Sequence, residues 1–583
     1  MRVWVFVLRD KLFLLAVLPL FLLAACQSPP AQNVLVVAQD TATAVLPTAT
    51  PVNTPTLVPP TATLPPPATE TAVPAPDLAI TADNLHFYPA PYVVDGDQVT
   101  IQIIPQMPAA VNWENVTVHV LVNDQELTSG PLMWRNLATS PEALFEWAWD
   151  TTGLAGDHQV QVILDRDDLV QIGDENPDNN QVTAVITVQP HTARTAAEVN
   201  ATWVTAENNC CRVHVVTNTA AYRDLTDLLV LLDQATAQAA ARLSEPLRQK
   251  IEIYFIDRVI GQGGYAGSAM VISYLDRQYN GQGLYETLVH ESTHVIDRQF
   301  APRRISFLAE GVAVWATGGH YKPEDLNTRS AALLTMGEYV PLANLADDFY
   351  PVQHEVGYLQ AGGFVEYLVN TYGWSRFREF YSVVTLDNTA SASAALDANL
   401  QVYYEKSLAE MEAEWQSYLR ALVVDETAVT DLATTIRYYD VMRRYQIDYD
   451  PAAYFLTAWL PYPNDVQTQG NTADLTRRPR AEVNITLEAM LASADEALRA
   501  GDYGRANILL DSVTRVLDND GAFLDPLATN YRNIVRQTAE EGYEVQHITL
   551  NGQRAELIVT KTNTTYLNKF NMVLRGQEWI LTN

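Results

Sequence analysis

The sequence contains little cysteine and comparatively little positive charge. Three cysteines, Cys26, Cys210 and Cys211, occur in 583 residues, which excludes a fold held together by a framework of disulfides. The 37 lysine and arginine residues are outnumbered by 69 aspartate and glutamate residues, so the net charge is −32. Nucleic-acid binding needs an extended basic surface, and we therefore expect no nucleic-acid partner. We expect Cys210 and Cys211 to be two small buried residues, with a disulfide between them as the alternative.

Histidine is also rare, and its distribution is informative. The chain has 10 histidines, and two of them belong to the motif His290-Glu-Ser-Thr-His294. On a helix, residues four apart lie on the same face, so both imidazoles can reach one metal ion. Glu291 projects about 100° away from His290, which places its carboxylate beside the metal rather than on it. A carboxylate there can take a proton from a metal-activated water.

A catalytic zinc site usually has three protein ligands and one open position. The candidate third ligand is Glu310, the one acid in the apolar stretch 307–315. Burying an acid among such residues is costly unless a positive charge meets it, and a zinc ion supplies that charge. A histidine six residues after the motif, the alternative third ligand, is excluded because Phe300 occupies that position.

The sequence Glu310-Gly-Val-Ala-Val-Trp315 and its spacing from the motif resemble the gluzincin metallopeptidases, in particular their peptidase MA-like branch. The resemblance implies an α+β zincin-like domain, which we place at residues 195–425. It further implies Zn²⁺ bound by His290, His294 and Glu310, and hydrolysis of peptide bonds with Glu291 as general base. An ordinary amphipathic helix is the alternative interpretation of the motif.

The resemblance also implies a residue that stabilises the oxyanion. Tyr358 precedes the pair Tyr367-Leu368 by nine residues, an offset at which the aminopeptidase branch of the gluzincins carries its catalytic tyrosine. A phenol directed at the developing negative charge would stabilise the tetrahedral intermediate, whereas a purely packing role is the alternative. The reserve candidates for this role are His354, His320 and Tyr350.

In the same family, the strand just before the motif helix borders the cleft, and an extended substrate pairs with it by strand addition. We assign that role to residues 267–275, with an ordinary sheet strand as the alternative. Residues 261–275 lack the Gly-x-Met-Glu-Asn motif of the family's exopeptidases, which favours an endopeptidase. We also predict strands at 211–216 and 251–256, and helices at 225–243 and 357–368.

The first 76 residues predict export and tethering. Residues 1–26 combine a basic start with an apolar run too short to span a membrane comfortably. They end in Leu23-Ala-Ala-Cys26, which resembles the lipobox of bacterial lipoproteins, with an ordinary signal peptide as the alternative. The resemblance implies acylation of Cys26 and a lipid-anchored, extracytoplasmic position in the cell envelope. Residues 27–76, rich in proline and threonine, predict a disordered linker.

Residues 77–190 predict an all-β, Ig-like sandwich, because short stretches of period-two alternation are separated by turn residues. The loop 173–180, Gly-Asp-Glu-Asn-Pro-Asp-Asn-Asn, resembles the CARDB type of cell-adhesion-related domain. A spacer or a module that binds a surface ligand is the role this implies. We expect the loop to be a solvated turn, with Ca²⁺ binding as the alternative. The predicted strands are 77–80, 98–104, 116–122, 158–164 and 181–188.

Residues 426–583 show no recognisable chemistry. Residues 481–499 and 503–517 predict a helical hairpin, and the end of the chain predicts a β-meander within a small α+β region. The fold class is therefore multidomain. The favoured function is a surface-anchored zinc metallopeptidase acting on peptides or proteins. The alternative is a non-catalytic surface-binding lipoprotein, in which the Ig-like and C-terminal domains bind a partner and the zincin domain is structural.

Overall fold

The computed structural model describes residues 77–106, 116–137, 140–167, 176–387, 389–455, 463–469, 472–562 and 564–582. The predicted signal sequence with Cys26, the linker 27–76 and residues 173–175 of the acidic loop lie outside these residues. Within the described residues, no helix has the length and apolar character needed to cross a membrane.

The residues described between 77 and 189, called the sandwich below, form two antiparallel-rich sheets with the strand orders β1-β3-β7-β6 and β2-β9-β8-β4-β5. Alternate residues of β3, β4 and β8 point inward and form its buried core. The strands are β1 (Leu85–Tyr88), β2 (Val93–Val94), β3 (Gln98–Ile103), β4 (Thr117–Val122), β5 (Gln125–Pro131), β6 (Met133–Leu137), β7 (Ser140–Asp150), β8 (Gly156–Leu164) and β9 (Gln181–Gln189).

Four of the five strands predicted here are confirmed, and the fifth is wrong. Residues 77–80 contribute one isolated bridge, between Ala79 and Gln106, instead of a strand. The segment is nevertheless buried, because Leu78 and Ile80 pack into the core of the sandwich. Its apolar pattern therefore reflects burial and not strand pairing.

The rest of the described chain, from 195 to 582, is called the body. Its first sheet has the strand order β10-β11-β12-β14-β13, with β11, β12 and β14 parallel. The predicted strands at 211–216 and 251–256 are confirmed. The strands are β10 (Trp203–Glu207), β11 (Cys211–Val216), β12 (Ile251–Ile256), β13 (Gly264–Ala266) and β14 (Met270–Ser273).

The prediction that residues 267–275 border the cleft is wrong. The strand in that stretch, β14, lies inside the sheet between β12 and β13, and β13 forms the edge. The chain turns back after β12 through Gly261 and Gly263, whose φ angles of +54° and +126° favour glycine. The glycine-rich turn thus leads directly into β13. A strand of three residues is too short to show an alternation of apolar and polar residues in the sequence.

The expectation of two unlinked cysteines is also wrong, because a disulfide joins Cys210 and Cys211. Cys210 lies in a bend, and β11 begins only at Cys211, so strand alternation does not separate the two side chains. The side chain of Asn208 accepts a hydrogen bond from the backbone N–H of Cys211 at 2.9 Å and holds this bend.

Helices make up most of the body. The helix predicted at 225–243 is confirmed, and those at 357–368, 481–499 and 503–517 are confirmed with small shifts of their ends. The helices are α1 (Ala196–Val199), α2 (Ala220–Arg223), α3 (Leu225–Leu243), α4 (Leu284–Asp297), α5 (Ser306–Thr317), α6 (Leu326–Met336), α7 (Leu342–Asp347), α8 (His354–Tyr372), α9 (Trp374–Val383), α10 (Ala392–Tyr404), α11 (Leu408–Ala421), α12 (Glu426–Tyr449), α13 (Pro463–Gln469), α14 (Ala473–Thr476), α15 (Glu482–Arg499), α16 (Tyr503–Leu517) and α17 (Pro526–Glu540).

The chain ends in the predicted β-meander, with the strand order β15-β16-β17-β18. The hairpin α15–α16 and helix α17 pack near it, and the apolar core of this region continues into Tyr279 and Tyr321. The strands are β15 (Tyr543–Asn551), β16 (Arg554–Lys561), β17 (Leu567–Arg575) and β18 (Glu578–Thr582).

Two glycines allow α5 and α8 to cross closely. A Cβ on Gly311 of α5 would lie 2.7 Å from the carbonyl oxygen of Ala361 on α8. A Cβ on Gly362 of α8 would lie 2.5 Å from Cγ1 of Val314 on α5. Both distances are shorter than a carbon atom tolerates, so the approach of the two helices depends on glycine at both positions.

A buried ionic cluster joins the sandwich to the body. Arg477, whose side chain is 0% exposed, donates to Asp97 of the sandwich at 2.7 Å and to Glu198 at 2.7 Å. It also donates to the backbone oxygen of Tyr92 at 2.8 Å. Because two segments far apart in sequence, 92–97 of the sandwich and the helix that carries Glu198, supply the partners of one guanidinium, buried charge connects the sandwich to the body.

We expect the substitution Arg477→Met to lower the free energy of unfolding by about 3–5 kcal/mol, because it leaves buried carboxylates without their cation. The control is Arg444→Met, which removes a half-exposed partner of Asp518 and should cost less than about 1 kcal/mol. Urea unfolding followed by tryptophan fluorescence measures both changes. Equal losses in the two variants would contradict a structural role for the Arg477 cluster.

Candidate metal centre and active site

Helices α4 and α5 bring three potential metal ligands together. Nε2 of His290 lies 3.2 Å from Nε2 of His294 and 3.0 Å from Oε2 of Glu310. Nε2 of His294 lies 3.2 Å from the same oxygen. A tetrahedral zinc ion with bonds of about 2.0–2.1 Å separates its ligand atoms by about 3.3 Å. The three atoms thus form a nearly equilateral triangle of the right size for one zinc ion.

The electrostatics of this triangle also suit a cation. Burial lowers the pKa of His294 to about 4, so its ring is neutral. Burial opposes the charge of Glu310, but the two imidazoles hold the pKa of its carboxyl well below the usual range. Burial alone would lower the pKa of His290. The contact with Glu310 has the larger combined effect, so the pKa of His290 is raised. Two ring nitrogens and a carboxylate that face one another at this distance form the donor set that zinc prefers.

Tyr350 orients the carboxylate ligand. Its hydroxyl donates a hydrogen bond of 2.9 Å to Oε1 of Glu310, the oxygen that does not face the histidines. Such contacts fix the orientation of a metal ligand. Tyr350, a reserve candidate for the oxyanion role in the sequence, is therefore placed as a positioning residue for Glu310.

A buried ion pair holds the last turn of the motif helix α4. Arg304 contacts Asp297 at 2.9 Å and donates to the backbone oxygen of His294 at 3.2 Å. The hydroxyl of Tyr381 donates to the second carboxylate oxygen of Asp297 at 2.6 Å. These contacts fix the part of the helix that carries the second histidine.

Glu291 lies beside the triangle, and its carboxylate is buried. Burial raises its pKa to about 7, and the backbone N–H of Ala266 on the edge strand β13 donates to it. The carboxylate is thus oriented by one hydrogen bond from the sheet edge and makes no ligand contact in the triangle. This is the position in which a carboxylate can exchange a proton with a water beside the metal.

The structure distinguishes the remaining oxyanion candidates by their hydrogen bonds. Tyr358 lines the cleft, its ring centroid is 6.0 Å from that of His290, and its hydroxyl has no hydrogen-bond partner among the described residues. His320, in contrast, uses both ring nitrogens, at 2.5 Å to Glu355 and 3.2 Å to Gln262. Tyr358 therefore has a hydroxyl available to a substrate, whereas His320 has a structural role.

His354 lines the same cleft and has one ring nitrogen without a partner. Its Nδ1 contacts the guanidinium of Arg443, which can only donate, so Nδ1 is the acceptor and Nε2 carries the hydrogen. Burial and the charge of Arg443 hold the pKa of His354 well below its usual range. In the part of the chain that the structure describes, Nε2 is buried and has no partner. The ring stacks on Tyr358 with centroids 4.3 Å apart.

The edge strand β13 offers few backbone groups to a substrate. Ser273 donates to the carbonyl of Gly263, and in an antiparallel pair the hydrogen-bonded positions alternate, so Gly264 and Ala266 direct their backbone groups outward. The N–H of Ala266 is bonded to Glu291, and its carbonyl accepts a 2.6 Å hydrogen bond from Arg298. Gly264 therefore remains as the position on β13 for pairing with an extended chain.

Several of these residues were not predicted from the sequence. Ala266 acts through its backbone groups on a three-residue strand, the guanidinium of Arg298 donates to its carbonyl, and Arg443 contacts His354 from helix α12. None of the three belongs to a motif with a fixed spacing. The single usable signal was the glycine-rich turn before residue 265, because such turns often precede a hairpin.

The structure is similar to several solved structures at low sequence identity. A CARDB domain from Pyrococcus furiosus is 16% identical, with 20% of this chain and 95% of that chain covered and a TM-score of 0.15. An M1 zinc metallopeptidase from Deinococcus radiodurans is 10% identical, with 55% and 90% covered and a TM-score of 0.26. Yeast LTA4 hydrolase is 11% identical, with 78% and 93% covered and a TM-score of 0.29. No protein-family profile and no curated protein matches the sequence.

These neighbours include both kinds of protein that the sequence resembles, a CARDB domain and zinc metallopeptidases. The identities and TM-scores are too low to assign this chain to a family. Its function therefore has to be inferred from the geometry of the site.

We expect Tyr350→Phe to lower zinc affinity by about 10–100-fold, because Glu310 loses the hydrogen bond that orients it. Tyr358→Phe should leave zinc affinity unchanged, because the Tyr358 hydroxyl makes no contact with a ligand. Competition with a chromophoric chelator measures both affinities. Equal zinc affinity in Tyr350→Phe and the wild type would exclude the positioning role of Tyr350.

Proposed function

We propose that this protein is a zinc-dependent peptidase that cleaves peptide bonds within an extended chain. The observation that carries the proposal is the triangle of His290, His294 and Glu310 with Glu291 beside it. A bound zinc ion would supply a positive charge that lowers the pKa of a water and polarises a carbonyl. A structural zinc site needs no free carboxylate next to its ligands, so the position of Glu291 favours catalysis.

Glu291 acts as the general base and then as the general acid. Its carboxylate takes a proton from the attacking water and delivers it to the nitrogen of the leaving amine. The N–H of Ala266 holds the carboxylate in place between the sheet edge and the metal ligands. The buried position excludes bulk water from the proton transfer.

Tyr358 stabilises the negative charge that develops on the carbonyl oxygen. Its hydroxyl lines the same cleft as the three ligands and is not engaged by the described residues. His354 lines this cleft next to Tyr358, and its buried Nε2–H, which has no partner among the described residues, can serve as a second donor. Donors that are fixed before the reaction lose little free energy by reorganisation.

The substrate lies in a cleft of about 710 Å³ that is bordered by β13. An extended peptide pairs with the backbone of Gly264 and is stopped at Ala266, whose own groups are bonded to Glu291 and Arg298. This arrangement fixes one substrate residue by its backbone and needs no free terminus, which supports an endopeptidase. Anchoring of the protein outside the membrane through Cys26 stays a prediction from the sequence.

We expect Glu291→Gln to lower kcat by about 10²–10⁴-fold while zinc stays bound, because the base is lost and the ligands are kept. Hydrolysis of casein and of a quenched peptide library, with zinc content measured in parallel, tests this. A zinc-loaded wild type without turnover would favour the surface-binding alternative, and equal rates for mutant and wild type would exclude Glu291 as the base.

We expect Tyr358→Phe to lower kcat by about 10²–10³-fold with little change in KM, because the lost hydrogen bond forms in the transition state. The matched control is Tyr367→Phe on the same helix, whose hydroxyl contacts Glu414 and not the cleft. Steady-state kinetics on one peptide gives both constants. A loss confined to KM, or an equal loss in the control, would contradict an oxyanion role.

A further inference from the structure

Helix α12 places one arginine behind the wall of the catalytic cleft. The guanidinium of Arg443 contacts Nδ1 of His354, a residue that lines the cavity of the metal ligands. Arg443 lies outside the segment 195–425, in a region whose sequence shows no recognisable chemistry. The function proposed above gives it no role, although it acts directly on a residue of the cleft.

The position of Arg443 against His354 is fixed by its surroundings. The ring of Phe455 packs against both side chains, with its centroid 4.7 Å from Cζ of Arg443 and 6.0 Å from the ring centroid of His354. Gln353, directly before His354, donates to the carboxylate of Asp440 on α12 at 3.1 Å. The start of α8 is thereby joined to α12, so the guanidinium meets the imidazole in a defined geometry.

The charge of Arg443 is directed at the imidazole. Burial lowers the pKa of Arg443, but a guanidinium remains protonated in proteins. Asp440, an acid that acts on this pKa, is hydrogen-bonded to Gln353 instead of Arg443. The positive charge therefore polarises the ring of His354, whose Nε2 is buried and has no partner in the described chain. A donor polarised in this way binds a developing negative charge more strongly.

The contact with Arg443 also decides which ring nitrogen of His354 carries the hydrogen. Burial and the charges of Arg443, His320 and His290 hold the pKa of His354 well below its usual range, so the ring is neutral. A neutral imidazole carries its one hydrogen on Nδ1 or on Nε2. Because a guanidinium has no acceptor, it requires the lone pair of Nδ1 and thereby fixes the hydrogen on Nε2.

We propose that Arg443 is a positioning residue of the peptidase, which holds His354 in the tautomer that directs an Nε2–H, next to the hydroxyl of Tyr358, at the oxyanion. Arg443 does not line the cleft and acts through His354. The proposal rests on the peptidase function proposed above and extends its machinery to helix α12, beyond residue 425.

Steady-state kinetics on one quenched peptide test the catalytic consequence. Arg443→Met should lower kcat about tenfold with little change in KM, because the lost polarisation acts on the charge of the transition state. Arg443→Lys should restore most of the rate, because an ammonium group also can only donate to Nδ1. The matched control is Arg444→Met on the same helix, which removes a half-exposed partner of Asp518 and should keep the wild-type rate. A loss confined to KM, or an equal loss in the control, would contradict the positioning role.

A double-mutant cycle determines whether Arg443 acts through His354. His354→Ala removes the donor, so Arg443→Met should cost no further rate in that background. Zinc content measured in parallel confirms that each variant keeps its metal site. Additive losses would mean that Arg443 supports the fold of the cleft and not the donor, which would overturn the proposal.

The tautomer of His354 can be measured without turnover. Solid-state NMR of the zinc-loaded full chain, labelled with nitrogen-15 in the histidine rings, distinguishes the two tautomers, and the His354→Ala spectrum identifies the signals of His354. We expect the Nε2–H form in the wild type and loss of this single form in Arg443→Met. An Nδ1–H form in the wild type, or an unchanged tautomer in Arg443→Met, would overturn the proposal. If no peptide is cleaved but the tautomer follows Arg443, the peptidase function fails and the positioning of His354 by Arg443 stands.

Discussion

The burial of an ionised carboxylate on α5 is the constraint on which the structure of the site depends. Glu310 lies in a helix whose other described residues from Phe307 to Thr317 are buried, where an isolated charge would cost several kcal/mol. Its two oxygens are met by different partners, the imidazoles on one side and Tyr350 on the other. Helix α4 must therefore be held where both histidines reach one oxygen, and the pair of Arg304 with Asp297 clamps the end of that helix.

The buried carboxylate also lies next to the point where α5 and α8 cross closely. Glu310 precedes Gly311, the residue that allows α8 to approach, so the ligand and the helix that carries Tyr358 and His354 are positioned by one contact. A larger residue at Gly311 would overlap the backbone of Ala361 and would force α8 to shift away from α5. Two hydrogen-bond donors that would act on one oxygen atom do not tolerate such a shift, because the strength of a hydrogen bond falls steeply with distance.

Local periodicity was sufficient to predict the motif helix and most of the long helices. The spacing of His290 and His294 is a property of the helix itself, and Glu310 was recognisable as a single acid in an apolar stretch. The edge strand β13 was not predictable, because three residues that begin with glycine show no alternation. The disulfide between Cys210 and Cys211 depends on a bend at the strand start, and the contact of Tyr350 with Glu310 spans 40 residues. Sequence patterns describe neighbours along the chain and carry little information on such contacts.

The junction of the sandwich and the body depends on contacts that a division of the sequence into modules does not indicate. The alternation of apolar and polar residues along the strands indicates which residues a sheet buries on its own inner face. In residues 77–190 this pattern suggested a self-contained unit. Arg477 is separated from Asp97 by 380 residues, yet its charge is balanced by that carboxylate and by Glu198 together. Separating the two parts would leave buried charges without partners on both sides, which costs far more than an apolar contact of the same size. Balanced buried charges therefore join the sandwich to the body, and Glu146 of the sandwich borders the same cavity as His290, His294 and Glu310.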